Sequence, residues 1–194
     1  MVLTPSTMLP LGTPAADFSL LEPLTGKSVS LADVKLENGV LIAFLSNHCP
    51  FVILLQDQLQ ALGRDLKEKG VGMVGISSND IVAYPSDNPE RMAELASTKF
   101  TTFPYLFDAT QEIAKSYRAA CTPDIYLFDK DLKLVYRGRV DDARPGNGKK
   151  VTGRSIRAAV DLMVTGKPIP AESMLPSMGC NIKWARGNAP DYFG

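Results

Sequence analysis

The residues best suited to chemistry lie together in the segment Ser46-Asn47-His48-Cys49-Pro50. The segment follows an apolar run and precedes the first long helical pattern. A cysteine at the start of a helix faces unpaired backbone N–H groups and the positive end of the helix dipole, which stabilise a thiolate. Surroundings of this kind bring cysteine pKa values from about 8.5 into the range of about 3.5–7.5. We therefore predict that Cys49 attacks disulfides or peroxides, the alternative being a small buried apolar residue.

The inventory of other reactive side chains is small. The chain has one histidine and three cysteines, at positions 49, 121 and 180. A structural zinc site uses four Cys or His ligands, and two of these four residues are adjacent, so we expect no metal site. A Ser-His-Asp triad would have to use His48. Three cysteines far apart are also unlike the disulfide framework of a small secreted fold.

Charge and terminal sequence narrow the class of protein further. The 194 residues contain 21 Lys+Arg and 21 Asp+Glu, a balance that argues against nucleic-acid or membrane binding through general basicity. The N-terminus has no basic n-region, and Pro5, Pro10 and Pro14 interrupt it, so we predict no signal peptide. We expect a cytoplasmic protein of one domain, with no nucleic-acid or membrane partner.

Periodicity predicts the elements that position the reactive segment. Residues 39–45 form an apolar run typical of a buried strand, and apolar residues then recur at helical spacing from Pro50 until Gly70. The other predicted strands are 18–20, 28–31, 71–78, 103–107, 125–128 and 132–137, and further helices are predicted from Pro89, after an Asp108 cap, and around 156–163.

This order of elements predicts an α/β fold with a central mixed β-sheet, helices on both faces and an N-terminal hairpin. Residues 167–194 are predicted to be an extended tail that folds back over the surface.

Thr122-Pro123 precedes a strand, where a cis bond can occur, but only about 5–6% of X-Pro bonds are cis. The residues alone therefore favour the trans bond.

The segments together resemble the thioredoxin superfamily, and within it the peroxiredoxin-like branch of the redoxin or alkyl hydroperoxide reductase/thiol-specific antioxidant type. The resemblance covers nearly the whole chain. It rests on Asn47-His48-Cys49-Pro50, Ser77-Ser78-Asn79-Asp80, Cys121-Thr122-Pro123-Asp124, Thr152-Gly153-Arg154 and the stretches 102–108, 136–142 and 176–184.

The resemblance implies a single thioredoxin-like domain over residues 1–194, with a cis Pro123 in a loop against the cysteine motif. It implies redox chemistry without a cofactor. The implied partners are protein or small thiols and disulfides, or peroxides; whether the protein forms a homodimer stays open.

The chain departs from this family at Ser46, where relatives carry the first cysteine of Cys-x-x-Cys. A serine hydroxyl forms no disulfide, so dithiol exchange cannot run through positions 46 and 49. Ser46-x-x-Cys49 also resembles the Thr/Ser-x-x-Cys of true peroxiredoxins. However, the proline expected four residues earlier is Ile42, and residues 121–125 contain no arginine to orient a peroxide.

The predicted catalytic set is Cys49, Ser46, His48 and Pro123, with Asn47, Pro50 and Thr122 beside it. Cys121 or Cys180 could resolve an oxidised Cys49, although the favoured alternative for each is packing away from the site, for Cys180 beside Trp184.

Three functions compete. The leading prediction is a thiol–disulfide oxidoreductase with a reactive Cys49. The others are a one-Cys peroxidase that uses Ser46 and Cys49, and a redox-inactive binding protein of the same fold.

Overall fold

The computed structural model describes residues 3–193, and its centre is a mixed β-sheet. The strands are β1 (Leu3–Pro5), β2 (Ser19–Glu22), β3 (Lys27–Ser30), β4 (Gly39–Phe44), β5 (Val71–Ser77), β6 (Tyr105–Phe107), β7 (Cys121–Thr122), β8 (Asp124–Asp129), β9 (Leu134–Gly138) and β10 (Met178–Asn181). The helices are α1 (Leu31–Val34), α2 (Pro50–Glu68), α3 (Pro89–Thr98), α4 (Glu112–Ser116) and α5 (Arg154–Val164), with 3₁₀ turns at Pro85–Asp87 and Ala171–Ser173.

The central sheet combines two groups of strands, in the orders β3-β2-β6-β5 and β4-β8-β9. The Leu45 N–H donates to the Ile76 carbonyl at 2.8 Å and connects the groups. The β5–β6 pair is parallel, whereas β4–β8 and β8–β9 are antiparallel. The predicted mixed sheet is thus confirmed, and the N-terminal hairpin β2–β3 joins it by pairing with β6.

Alternation along β4 fills two cores, one on each face of the sheet. Leu41 and Ala43 pack with the apolar sides of α2, α3 and α5. Val40, Ile42 and Phe44 pack on the other face with residues of α1 and α4. Because both faces of β4 are buried, all six of its residues are apolar or glycine, and this continuous run predicts a central strand.

The helix α2 matches its prediction closely. Pro50 occupies the first turn, where a missing N–H has no cost, and Gly70 follows the helix end with a φ of +65°. The buried side includes Leu55, Leu59, Leu62 and Leu66. This packing fixes the helix axis, and therefore fixes the position of the residue that precedes it, Cys49.

The helix predicted to start from an Asp108 cap begins later, at Glu112. The Asp108 carboxylate is buried and accepts hydrogen bonds from Ser78 Oγ at 2.9 Å and from the Ala114 N–H at 3.0 Å. Gln111 precedes the helix with a φ of 65°. The carboxylate thus accepts from one of the unpaired N–H groups in the first turn of the helix, although Asp108 lies four residues before the helix and not directly at its start.

The tail contains β10, which lies between β1 and β7 in a small antiparallel sheet. Neither β1 nor β10 is predicted, because β1 contains Pro5 and β10 contains Gly179, and proline and glycine are residue types that strands disfavour. Within residues 3–193, none of the helices has both the length and the apolar character that crossing a membrane requires.

Candidate active site

Cys49 lies in the loop beyond the carboxyl end of β4, directly before the first residue of α2. Its backbone is extended, and the Val52 and Ile53 N–H groups donate to its carbonyl oxygen at 2.9 Å. Its side chain is 0% exposed. The sulfur accepts no hydrogen bond from the helix N–H groups predicted to face it, and it points into the protein.

The Cys49 sulfur meets two groups from distant parts of the chain. The thiol is 3.1 Å from the carbonyl oxygen of Thr122, which can accept its hydrogen bond. The sulfur is also 3.0 Å from the Sγ of Cys180. The loop predicted to lie against the cysteine motif contacts it here through the Thr122 carbonyl, and the peptide bond between Thr122 and Pro123 is cis.

Cys180 reaches this position because β10 pairs with β7. Cys180 stands opposite Thr122 in the antiparallel register. The preceding residue, Gly179, allows the close approach, since a Cβ built there would lie 2.0 Å from the Thr122 carbonyl oxygen. Burial, and then the hydrogen bond and charge of Cys49, raise the pKa of Cys180 to about 12.

Cys121 is buried as well but takes no part in this sulfur pair. Its Sγ is 3.6 Å from the Pro123 carbonyl oxygen. Burial, with the nearby charge of Asp124, raises the pKa of the Cys121 thiol well above its usual range. Of the two predicted resolving candidates, the structure places Cys180 against Cys49.

Ser46 and His48 belong to a polar network around Asp87. The Ser46 Oγ is 3.2 Å from both Asp87 carboxylate oxygens, and the Asn47 N–H donates to Oδ1 at 2.6 Å. His48 Nδ1 lies 2.8 Å from Oδ2, and Asn79 Nδ2 donates to the same oxygen at 2.7 Å. Asp87 is 0% exposed, so these donors replace the water that it loses on folding.

The hydrogen bonds decide the ionisation of Asp87. Burial by itself would raise its pKa, but the hydrogen bonds from His48 and Asn79, with the charge of His48, lower the pKa below its usual value. Sequence reasoning missed Asp87 because it ends the 3₁₀ turn Pro85–Asp87, which is too short to show a period that separates a buried carboxylate from an exposed one.

The network does not have the geometry of a Ser-His-Asp triad. In a triad the serine and the carboxylate contact different ring nitrogens of the histidine. Here Ser46 Oγ and Asp87 Oδ2 both lie at Nδ1 of His48, at 3.2 and 2.8 Å. The imidazole ring stacks on Tyr84, with centroids 5.6 Å apart.

The side chain of Asn47, another predicted neighbour of Cys49, holds the loop that precedes α2. Asn47 donates from Nδ2 to the Ser86 carbonyl at 2.9 Å and accepts from the Tyr105 hydroxyl at 3.0 Å. Across residues 3–193, no cluster of three or more His, Cys, Asp and Glu side chains is placed to hold a metal ion.

Two solved structures are similar over almost their full length. A crystal structure of an uncharacterized conserved protein from Geobacillus kaustophilus shares 51% identity over 95% of this chain and 97% of that chain, with a TM-score of 0.92. A hypothetical protein from Sinorhizobium meliloti shares 47% identity over 95% of this chain and 100% of that chain, with a TM-score of 0.91.

A more distant similarity identifies the fold. The thioredoxin domain of a thiol-disulfide oxidoreductase from Bacteroides vulgatus is 20% identical, with a TM-score of 0.58 over 78% of this chain and 99% of that chain. A comparison with curated proteins finds no match. The AhpC/TSA family profile matches residues 11–137, which include the Cys49 segment and the Pro123 loop. The chain has a thioredoxin-like fold and belongs to the AhpC/TSA family of redoxins.

Proposed function

We propose that the protein is a thiol–disulfide oxidoreductase in which Cys49 is the reacting thiol and protein or small disulfides are the substrates. The observation that carries the proposal is the position of the Cys49 sulfur, beyond the carboxyl end of β4 and 3.1 Å from the Thr122 carbonyl in the Pro123 loop. Open α/β sheets place their chemistry at the carboxyl ends of their strands. Family membership and the thioredoxin-like fold support redox chemistry at this position.

The first step would be thiol–disulfide exchange at Cys49. Its thiolate attacks one sulfur of a substrate R–S–S–R′, forms Cys49–S–S–R and releases R′S⁻, which takes up the proton that Cys49 gave up. Ser46 cannot complete the exchange, because its hydroxyl forms no disulfide and lies at Asp87. The mixed disulfide therefore needs a thiol from elsewhere.

Access to the sulfur would limit the rate of this step. An open cleft of about 680 Å³ lies beside Asn47 and His48, but Cys49 does not line it. Because Cys49 is 0% exposed, a substrate larger than a peroxide reaches its sulfur only after the segments packed against it, at Thr122 and Cys180, move. We expect slow alkylation of Cys49 in the native protein and fast alkylation in denaturant.

The test compares Cys49→Ala with Cys121→Ala, a matched change of another buried cysteine. Each protein is incubated with oxidised glutathione, quenched in acid and mapped by mass spectrometry. We expect disulfide formation at Cys49 in the wild type and in Cys121→Ala, and loss of glutathione reduction in Cys49→Ala. Equal rates of glutathione reduction in all three proteins would refute the proposal and favour a redox-inactive binding protein.

Peroxidase activity is the second candidate, and the complete burial of Cys49 favours it, since hydrogen peroxide is small enough to enter a closed site. The Ser46 hydroxyl, however, is engaged by Asp87 and His48. We expect stopped-flow peroxide consumption no faster than that of free cysteine. A rate several orders of magnitude higher would replace disulfide exchange with peroxide reduction as the main activity.

For both activities we propose the cytoplasm as the compartment, because its reductants would return an oxidised Cys49 to the thiol.

A further inference from the structure

We propose that Cys180 is the second redox cysteine of this site and closes an intramolecular disulfide with Cys49, so that the tail supplies the thiol that position 46 lacks. This inference rests on the proposed function, because Cys49 must be the thiol that is oxidised first. It assigns the resolving role to a residue 131 positions away in the sequence.

The geometry of the two sulfurs supports the bond. Their Sγ atoms are 3.0 Å apart, and a disulfide holds them at about 2.05 Å, so closure needs a movement of about 1 Å. Both residues are buried, Cys49 at 0% and Cys180 at 2% exposure. In the closed, reduced protein the thiol that would resolve the mixed disulfide therefore lies directly beside Cys49.

Contacts on both sides of β10 hold Cys180 in this position. Before the strand, Ser177 Oγ donates to the Gly138 carbonyl at 2.7 Å. After the strand, the Ile182 N–H donates to the Ala120 carbonyl at 3.0 Å. Gly179 lets the strand approach β7, because any larger residue would clash with the Thr122 carbonyl oxygen. The sulfur is thus carried by a paired strand that is anchored at both ends.

The second step balances without a further reactant. The Cys180 thiolate attacks the Cys49 sulfur of the mixed disulfide Cys49–S–S–R, forms Cys49–S–S–Cys180 and releases RS⁻, which takes up the proton from Cys180. Over both steps, one substrate disulfide gains two electrons and two protons and leaves as two thiols. The two cysteines lose the same electrons and protons.

The electrostatics give the two steps an order. In the reduced protein, burial is the main cause that raises the pKa of Cys180, and the hydrogen bond and charge of Cys49 add to it. A mixed disulfide at Cys49 removes both contributions of Cys49, while the charge of Lys183 continues to favour the Cys180 thiolate. The thiolate fraction of Cys180 therefore rises once Cys49 has been oxidised, while burial continues to favour the thiol.

The experiment uses the full chain and compares the wild type with Cys180→Ala and Cys121→Ala. Each protein is incubated with oxidised glutathione, quenched in acid, alkylated with N-ethylmaleimide and mapped without reduction. We expect a peptide linked between Cys49 and Cys180 in the wild type and in Cys121→Ala. In Cys180→Ala, we expect the glutathione adduct to accumulate at Cys49.

Two negative outcomes separate the inference from the function on which it rests. A stable glutathione adduct at Cys49 in the wild type, equal to that of Cys180→Ala and without a linked peptide, would refute the role of Cys180 alone. No modification of Cys49 in either protein would refute both the inference and the proposed function.

Gly179→Ala tests the same inference with all three thiols retained. The added Cβ displaces β10 from Thr122, and a misplacement of about 1 Å can slow a reaction by about 100-fold. We expect intramolecular closure to slow by between about 10-fold and 100-fold, while alkylation of Cys49 becomes faster. An unchanged closure rate in the folded variant, checked by circular dichroism, would contradict the role of the strand. If the variant does not fold, the Cys180→Ala comparison decides.

Discussion

Oxidation of the Cys49–Cys180 pair should stabilise the protein strongly, because the bond would close a loop with a sequence separation of 131 residues. In the chain-entropy relation, such a cross-link removes about 17 cal/mol/K from the unfolded state, which amounts to about 5 kcal/mol at 25 °C. For a chain of this length, 1 kcal/mol shifts Tm by about 2–4 °C, so we expect an increase of about 10–20 °C.

The folded state should keep most of this gain. The sulfurs are already 3.0 Å apart, and β10 is anchored by pairing with both β1 and β7. The cross-link therefore requires little rearrangement of the native backbone, and strain subtracts little from the entropic term.

The assay is urea unfolding of the wild type, oxidised with oxidised glutathione or reduced with a phosphine. The oxidised form should have the higher midpoint, by the amount that about 5 kcal/mol and the measured m-value give. Cys121→Ala should keep this redox difference, whereas Cys180→Ala and Cys49→Ala should lose it. Equal midpoints for oxidised and reduced wild type, with the linked peptide verified by mass spectrometry, would refute the reasoning about loop closure.

Three further changes test the surroundings of the site. Burial raises the pKa of Asp124 to about 6, so the native state holds this proton more tightly than the unfolded chain. As the pH rises from about 4 to about 6, the wild type should therefore lose about 3 kcal/mol of unfolding free energy that Asp124→Asn does not lose. Parallel pH profiles of the two proteins would contradict this. Asp87→Ala should cost about 3–5 kcal/mol in urea unfolding, because it leaves buried donors without their acceptor, whereas Asp57→Ala at an exposed ion pair should cost less than about 1 kcal/mol. Because the pKa of Asp87 is lowered, its ionised carboxylate stabilises the native state above about pH 4. This stabilisation is lost as the pH falls below that value. Ser46→Cys should give a disulfide between positions 46 and 49 that competes with the bond to Cys180, and peptide mapping that finds only the latter would count against the reconstituted dithiol.

Local chemistry made much of the fold predictable from the sequence. The run in β4 is continuous because both faces of that strand are buried, and α2 is bounded by Pro50 and Gly70. The position of Cys49 between these elements follows directly. The family resemblance added the Pro123 loop, which the base rate of cis bonds would have left trans.

The polar surroundings of the site could not be predicted in this way. Asp108 is predicted to stand directly before its helix, yet the helix begins four residues later, and the buried carboxylate accepts from Ser78 as well as from the Ala114 N–H of the first turn. Asp87 lies in a three-residue 3₁₀ turn that no sequence pattern marks, yet its carboxylate accepts hydrogen bonds from Ser46, Asn47 and Asn79. Whether a carboxylate meets donors or water depends on which segments fold over it, and periodicity carries no information about this.

The sequence by itself determined that one cysteine stands at the start of a helix and that its usual partner position holds Ser46. Only the tertiary structure decided which sulfur meets Cys49. The pairing of β10 with β7 depends on the close approach that Gly179 permits, and on anchors at both ends of the strand. A contact across 131 residues is set by backbone pairing in three dimensions, so no spacing between the cysteines could have shown that Cys180 lies against Cys49.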